Sequence, residues 1–284
     1  MTPTPDKIIS ERRDTFYRQA REVFYRLIEP LDHIVRLING KGDFPPIYLR
    51  RYVGPLRSFE MSGTEFMIYL RLIAKLKPGE RILDIGCGCG LVPLYLKEYI
   101  GPECLYMGVD IHQPSITWCQ RNITPENPHF VFDHIDVLNE MYNPKGRHRA
   151  ENFRFPSTDN SFDLILLKSV FTHMRPAEVE NYLKEIARLL SDSGRCLATF
   201  FLLNPTQEQF RKEGLNKLSF RYGDDTWRYI RKTSPESAIA FDEGFLREMF
   251  DRCGLTVAEP VLYGTWSGSG SGISYQDMIL LQRK

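Results

Sequence analysis

The sequence predicts an α/β chain organised around a doubly wound, mostly parallel sheet, and three observations carry that reading. A short apolar run leads into a glycine turn at Arg81–Gly90, RILDIGCGCG. Three more apolar runs follow at intervals, two of which close on an acid. Between and after them lie stretches with helical spacing, such as Pro176–Leu190, whose Val179, Tyr182, Leu183, Ile186 and Leu189 share one face. Short apolar strands alternating with helices make βαβ units, and βαβ units make a parallel sheet.

The first element is the most informative. Ile82, Leu83 and Ile85 form a strand that carries Asp84, then Gly86, Gly88 and Gly90 punctuate a turn, and Leu91–Tyr99 reads as a helix. Glycines suit a turn where the backbone approaches a ligand closely and where φ is positive. The helix that follows aims its amides at the same spot. A dinucleotide fingerprint needs GxGxxG, whereas the glycines here fall as GxGxG and the required position is Leu91. Asp84, two residues before the first glycine, would repel a pyrophosphate and favours a ligand with a cationic end.

The second strand, Cys104–Asp110, ends in an acid placed to accept two hydrogen bonds from a ribose diol. The third, His129–Ile135, ends in Asp136-Val137, and the fourth, Phe162–Leu167, is apolar enough to be buried on both faces. Lys168, Ser169 and Phe171–Met174 then fall at the carboxyl end of the sheet, where open α/β sheets bind ligands. Ser193-Gly194 stops the Pro176–Leu190 helix, and Arg195–Leu203 reads as the fifth strand. Asn204-Pro205 reads as a turn. Phe245–Cys253 is a helix closed by Gly254, and Leu255–Leu262 and Tyr275–Gln282 are the last two strands.

An acidic strand end followed by GxGxG, with the later strand-end acids, resembles the class I S-adenosylmethionine-dependent methyltransferases, and the likeness spans roughly residues 70–284. The resemblance implies a Rossmann-like sheet of seven strands with an antiparallel last strand. It implies S-adenosylmethionine as cofactor, and a binding set of Asp84, Gly86, Cys87, Gly88, Gly90, Asp110, Ile111, Asp136, Val137, Lys168 and Ser169. Within that set Asp136 is expected at the adenine amino group, and Val137 or Ile111 at the ring faces. The fourth motif reads Lys168-Ser169-Val170-Phe171 rather than the Asn/Asp/Ser-Pro-Pro-aromatic run of amino methyltransferases acting on nucleic acids and proteins. A small-molecule acceptor is therefore expected, methylated at a hydroxyl oxygen, with nitrogen and carbon as alternatives. His173, just past the fourth strand, is the candidate base, since imidazole titrates near neutrality; a role as helix cap or pocket wall is the alternative. Tyr17, Tyr48, Tyr52 and Tyr275 are weaker candidates. From another class, the chain could be a cofactor-binding partner subunit without turnover. An NAD-dependent short-chain enzyme would need Tyr-x-x-x-Lys, which Tyr182-Leu-Lys184 does not supply.

Two segments flank the motifs. Residues 1–63 are expected to form an N-terminal helical arm, helical from Asp6 to Leu37, followed by a lid around Val53–Gly63. Residues 64–284 form the main domain, with a cap insertion at about 204–242. That insertion holds Phe210, Phe220, Tyr222, Trp227 and Tyr229 among several arginines, and is expected to roof the pocket. The loop Leu138–Phe155 is long enough to line it as well. With 37 basic against 36 acidic residues, the chain exerts no overall pull on nucleic acid or an anionic membrane. No apolar run reaches membrane-spanning length and no secretion signal leads the chain, so a cytoplasmic protein is expected. The six cysteines are scattered, and Cys87-Gly-Cys89 lacks further ligands nearby, so no metal is expected. The N-terminal arm can bury itself on its own core or on a second subunit, making a homodimer.

Overall fold

The computed structural model describes residues 5–54 and 56–284, with side chains described from residue 20 onward except at 55 and 57. In chain order, helix α1 (Pro5–Ile38), the single turn α2 (Ile47–Arg50) and α3 (Phe59–Leu72) precede β1 (Arg81–Ile85). Alternation then runs α4 (Leu91–Leu96), β2 (Leu105–Asp110), α5 (Gln113–Asn122), β3 (Phe130–His134), β4 (Phe162–Leu167), α6 (Pro176–Leu189) and β5 (Leu190–Phe200). A smaller group follows: β6 (Leu202–Leu203), α7 (Pro205–Lys212), β7 (Tyr222–Gly223), β8 (Trp227–Tyr229) and β9 (Ile239–Asp242). The chain finishes with α8 (Glu243–Arg252), β10 (Leu255–Leu262) and β11 (Asp277–Arg283).

Seven strands form one sheet in the order β10-β11-β5-β4-β1-β2-β3. β1 to β5 pair in parallel, and β11 lies antiparallel between β5 and β10. The central strands are apolar at nearly every position because the sheet has a core on each face. Leu83, Ile85, Ile165 and Leu167 enter one core, while Ile82, Leu164 and Leu166 enter the other. Alternate side chains of a strand point to opposite faces, so burial on both sides erases the polar half of the pattern. α6 starts on Pro176, whose missing N–H costs nothing at a first helical position, and Glu178 accepts a 2.6 Å bond from the Arg175 amide.

Two expected readings change for physical reasons. β5 begins at Leu190, directly after α6; Phe162 pairs with Leu190 and Leu164 with Arg195, so Ser193-Gly194 lies in a bulge of the strand and not at a helix stop. Asn204-Pro205 is not a turn: Asn204 Oδ1 accepts from the amides of Thr206 (3.0 Å) and Gln207 (3.2 Å), capping α7. The segment 204–242 contributes to a second sheet, β6-β9-β8-β7. Phe201, Phe220 and Trp266 close a small core beside it.

The arm attaches through charge. Arg36 donates to Glu29 at 2.6 Å and to Asp32 at 2.8 Å, Asp32 also pairs with Arg50, and Glu22 with Arg51. Residues 63 and 64 fall inside α3, where Gly63 packs so closely on the Tyr95 ring that an added Cβ would lie 2.1 Å from it.

Candidate functional site

At the carboxyl ends of β1, β2 and β4 the sheet opens into a cavity of about 370 Å³. Its floor is the glycine turn. Gly86 and Gly88 have φ of +78° and +55°, and the Gly86 and Cys87 amides donate to the Val109 carbonyl at 2.8 and 3.1 Å. A Cβ on Gly86 would meet Val170 at 2.4 Å and one on Gly88 would meet Val53 at 2.9 Å, so side chains at these positions would intrude on the site. Gly90 does not line the cavity. Its φ of +82° starts α4, and its bare Cα lets Ile123 and Cys119 pack beneath the turn.

Two of the strand-end acids line the cavity. Asp84 is 1 % exposed and accepts a 2.6 Å hydrogen bond from the Tyr106 hydroxyl. Burial pushes its carboxyl up to about 7, although that bond and the nearby Lys168 ammonium oppose the shift. Lys168 lies half-buried over the Phe66 ring, with its amine lowered by desolvation and held up by Asp84 and Glu65. Asp110 accepts from the Gly88 amide and the His112 amide, both at 2.7 Å. Burial raises its pKa and those amides pull the other way. Cys87, Ile111, Val137, Lys168 and Ser169 also line the cavity.

The third acid does not. Asp136 points to the other side of its turn, where Arg147 Nε donates to it at 2.5 Å and Asn143 Nδ2 at 3.2 Å. Arg147 holds its carboxyl below the usual range. The loop 138–150 that supplies these partners turns Leu138, Asn139, Tyr142 and Ala150 toward the cavity instead.

His173 sits in the helical turn Phe171–His173 after β4, half-buried in the cavity wall. Its Nδ1 lies 2.7 Å from the Glu236 carbonyl. A carbonyl only accepts, so in the neutral ring Nδ1 carries the proton and Nε2 the lone pair. Burial lowers the imidazole pKa, so the neutral form persists to more acid pH than in a free histidine. The Tyr142 ring meets it edge-on at 5.8 Å.

Sequence reasoning missed Gln276. Ser169 Oγ and Thr199 Oγ1 both donate to its Oε1, at 2.9 and 2.7 Å, and Thr199 Oγ1 accepts from the Ser169 amide at 2.8 Å. Gln276 lines the cavity, and its NH2 group is not used in this network. Ser169 holds φ of +59°, unusual for a residue with a Cβ. No local signal announces Gln276, because its partners lie on other strands.

The expected roof is different. No residue of 204–242 lines the cavity; the insertion reaches the site through the Glu236 carbonyl on His173. Its aromatics pack on one another, with Tyr222 against Tyr229, Trp227 against Tyr229, and Phe220 against Phe201 and Trp266. The covering residues are Arg51, Tyr52, Val53 and Gly54 before α3 and Met174, Glu178 and Tyr182 around α6. Among the weaker tyrosines, Tyr52 lines the cavity with its ring 4.5 Å from His112, Tyr48 lies under Arg26, and Tyr275 is exposed. The Tyr17 side chain lies outside the described residues. Among the described residues no group of three or more His, Cys, Asp or Glu is placed to hold a metal ion, and no helix is long and apolar enough to cross a membrane. The six cysteines are buried free thiols.

Comparison with known proteins agrees with this architecture. Residues 83–198, from β1 into β5, match a family profile described as a methyltransferase domain. A ubiquinone/menaquinone biosynthesis C-methyltransferase UbiE from Xanthomonas oryzae is 27 % identical over 200 residues, covering 65 % of this chain and 71 % of that protein. A demethylmenaquinone methyltransferase from Lactobacillus johnsonii is 26 % identical over 121 residues, so the chain matches 43 % of that protein's length and 43 % of its own. The PH0226 protein from Pyrococcus horikoshii shares the fold at a TM-score of 0.54 and 15 % identity, over 82 % of this chain and 93 % of that one. The methyltransferase-domain match is laid along the glycine turn and strand ends of a seven-stranded sheet, so residues 83–198 form a methyltransferase domain, and S-adenosylmethionine is the cofactor that such a domain implies.

Proposed function

We propose that the protein methylates a hydroxyl oxygen of a small-molecule acceptor, with His173 as general base. The observation that carries this reading is the 2.7 Å bond from His173 Nδ1 to the Glu236 carbonyl, which commits Nε2 to accepting a proton beside the cavity.

The cavity suits the cofactor on this chain's own terms. Gly86 and Gly88 leave a cradle that a Cβ would crowd, and an acid stands at the end of each of two adjacent strands, Asp84 buried and Asp110 half-buried. In this reading Asp84 holds the cationic amino group and Asp110 accepts from the ribose hydroxyls. Ile111 and Val137 flank the base, while Gly86, Cys87, Gly88, Lys168 and Ser169 complete the wall around the amino-acid end. Asp136, occupied by Arg147 and Asn143, and Gly90, beneath the turn, are left out of this set. Bound S-adenosylmethionine supplies an electrophilic methyl group on a cationic sulfur.

The chain's part in the reaction is to bring an acceptor oxygen into line with that methyl, exclude water and remove one proton. Tyr142, Met174 and Tyr182 offer an apolar wall for a ring-bearing acceptor, Nε2 of His173 takes the hydroxyl proton, and the Glu236 carbonyl stabilises the imidazolium that results. Residues 1–63 serve as arm and lid over the domain of residues 64–284, with Tyr52–Gly54 closing over the glycine turn. A balanced charge of 37 basic to 36 acidic residues favours a small acceptor over a nucleic acid. A second reading, methylation of carbon, draws support from the names of the quinone-pathway relatives. A phenol deprotonated by the same His173 carries charge on ring carbons as well as oxygen.

The test is incubation with methyl-13C-labelled cofactor and a panel of hydroxylated aromatic acceptors, with carbon and proton spectra locating the label. A label on oxygen supports the proposal; a label on ring carbon replaces it with the second reading; no transfer to any acceptor favours a binding role without turnover. In the same assay His173→Ala loses about 100-fold or more of kcat while cofactor affinity stays within about twofold. Only the neutral imidazole is a base, and burial lowers its pKa. At saturating cofactor the wild-type kcat therefore stays level down to about pH 6.5, the ordinary imidazole value, and falls only below it. Unchanged turnover in His173→Ala removes the base from the mechanism.

A further inference from the structure

From residue 20 onward, helix α1 is amphipathic in the opposite sense to an ordinary surface helix. Four of its charged side chains face the body: Arg36 is 7 % exposed and bonds Glu29, Asp32 and the Phe44 carbonyl, Glu29 also accepts from the Ile47 amide, Asp32 meets Arg50, and Glu22 meets Arg51. Its apolar side chains face away. Phe24, Leu27, Leu31, Ile34 and Ile38 are each more than half exposed, with Leu27 at 73 % and Ile38 at 79 %. They recur at intervals of three and four residues, the spacing of a seam that packs helix against helix.

A single exposed leucine is ordinary, but a contiguous stripe of this kind is not. The large apolar side chains left uncovered between Val23 and Ile38 sum to on the order of 900 Å², and two such faces brought together reach the area of a standard stable interface. A self-complementary stripe along one helix is what an isologous contact needs, since each copy offers the same face to the other. We propose that the outward face of α1 is a self-association surface, on which the same face of a second copy packs about a two-fold axis.

Charge argues against a lipid surface as the occupant. Interfacial helices carry a cationic rim, whereas residues 20–39 contain no lysine, and of their three arginines Arg21 lies over the Tyr25 ring while Arg26 and Arg36 are tied to Glu22, Glu29 and Asp32. The inward face also ties association to the cavity. Glu22 holds Arg51, which donates to the Tyr52 hydroxyl at 2.5 Å, and Arg51 and Tyr52 both line the site.

The test is sedimentation equilibrium on the full chain at micromolar concentration, for the wild type, for Leu27→Glu/Leu31→Glu and for the milder Leu31→Gln. Both positions are exposed, so circular dichroism and cofactor titration should report an unchanged fold. The expected result is a wild-type mass of two chains of 33.1 kDa each, and a dissociation constant raised about tenfold or more in the double variant, with Leu31→Gln in between. A monomeric wild type overturns the proposal, as does a dimer indifferent to all three substitutions. A wild type that is monomeric but floats with anionic phospholipid vesicles overturns it in favour of a lipid surface.

Discussion

The floor and the roof of the cavity are built on different plans. The floor comes from strand ends that are neighbours in one sheet: Asp84 on β1, Asp110 on β2 and Ser169 after β4. The roof comes from pieces distant in sequence, Arg51–Gly54, Tyr142 and Tyr182, that meet only because the sheet brings their anchors together. A floor of that kind holds what is common to a family of reactions, whereas a roof assembled from loops can be changed without disturbing the sheet. Cofactor binding should therefore respond steeply to floor residues and scarcely to side chains whose partners lie on the outer side of the roof loop.

The largest effect expected on the floor is that of Asp110→Ala. The change removes the acceptor for the proposed ribose contact and strands the Gly88 and His112 amides, each of which now donates at 2.7 Å. Cofactor affinity measured by calorimetry should fall about 100-fold, since the ribose contact is lost and each unsatisfied donor costs on the order of 1 kcal/mol; a loss under threefold would break the distinction between floor and roof. Asp84 supplies the next effect. Its folded-state pKa is raised to about 7, so the proton is held below that pH and the carboxylate that attracts a cation appears only above it. Cofactor affinity should drop about tenfold between pH 8 and pH 6, with a proton released on binding at neutral pH. Asp84→Asn should abolish that slope, and a slope that survives the substitution would assign it to another group. The smallest effect is that of Asp136→Ala. With its carboxylate spent on the exposed Arg147, cofactor affinity should move less than about twofold, because exposed ion pairs contribute little. A loss comparable with that of Asp110→Ala would return Asp136 to the site.

The same division governs what the sequence made legible. β4 was readable to the residue because burial on two faces leaves an unbroken apolar run, and the Arg81–Gly90 turn was readable because strand, acid and glycines are consecutive. Asp136 looked equivalent to Asp84 and Asp110, yet its environment is decided by Arg147, eleven residues on in a loop whose path no periodicity encodes. The aromatic content of 204–242 read as a pocket roof because a small second core and a binding surface draw on the same residue types. Asn204-Pro205 illustrates a narrower ambiguity: asparagine before proline serves a turn and a helix start alike, and only the Thr206 and Gln207 amides tell them apart.

Gln276 has a bearing on how small this enzyme can be made. It reaches back 107 residues to Ser169, and the recognisable methyltransferase segment stops at residue 198. A fragment trimmed to that segment would keep the glycine turn and both strand-end acids while losing the amide that holds Ser169 at positive φ, together with the antiparallel strand β11 beside β5. The span that matches the methyltransferase profile is thus shorter than the span that supplies the cavity's residues, and the C-terminal strand is where a truncation series would find the limit.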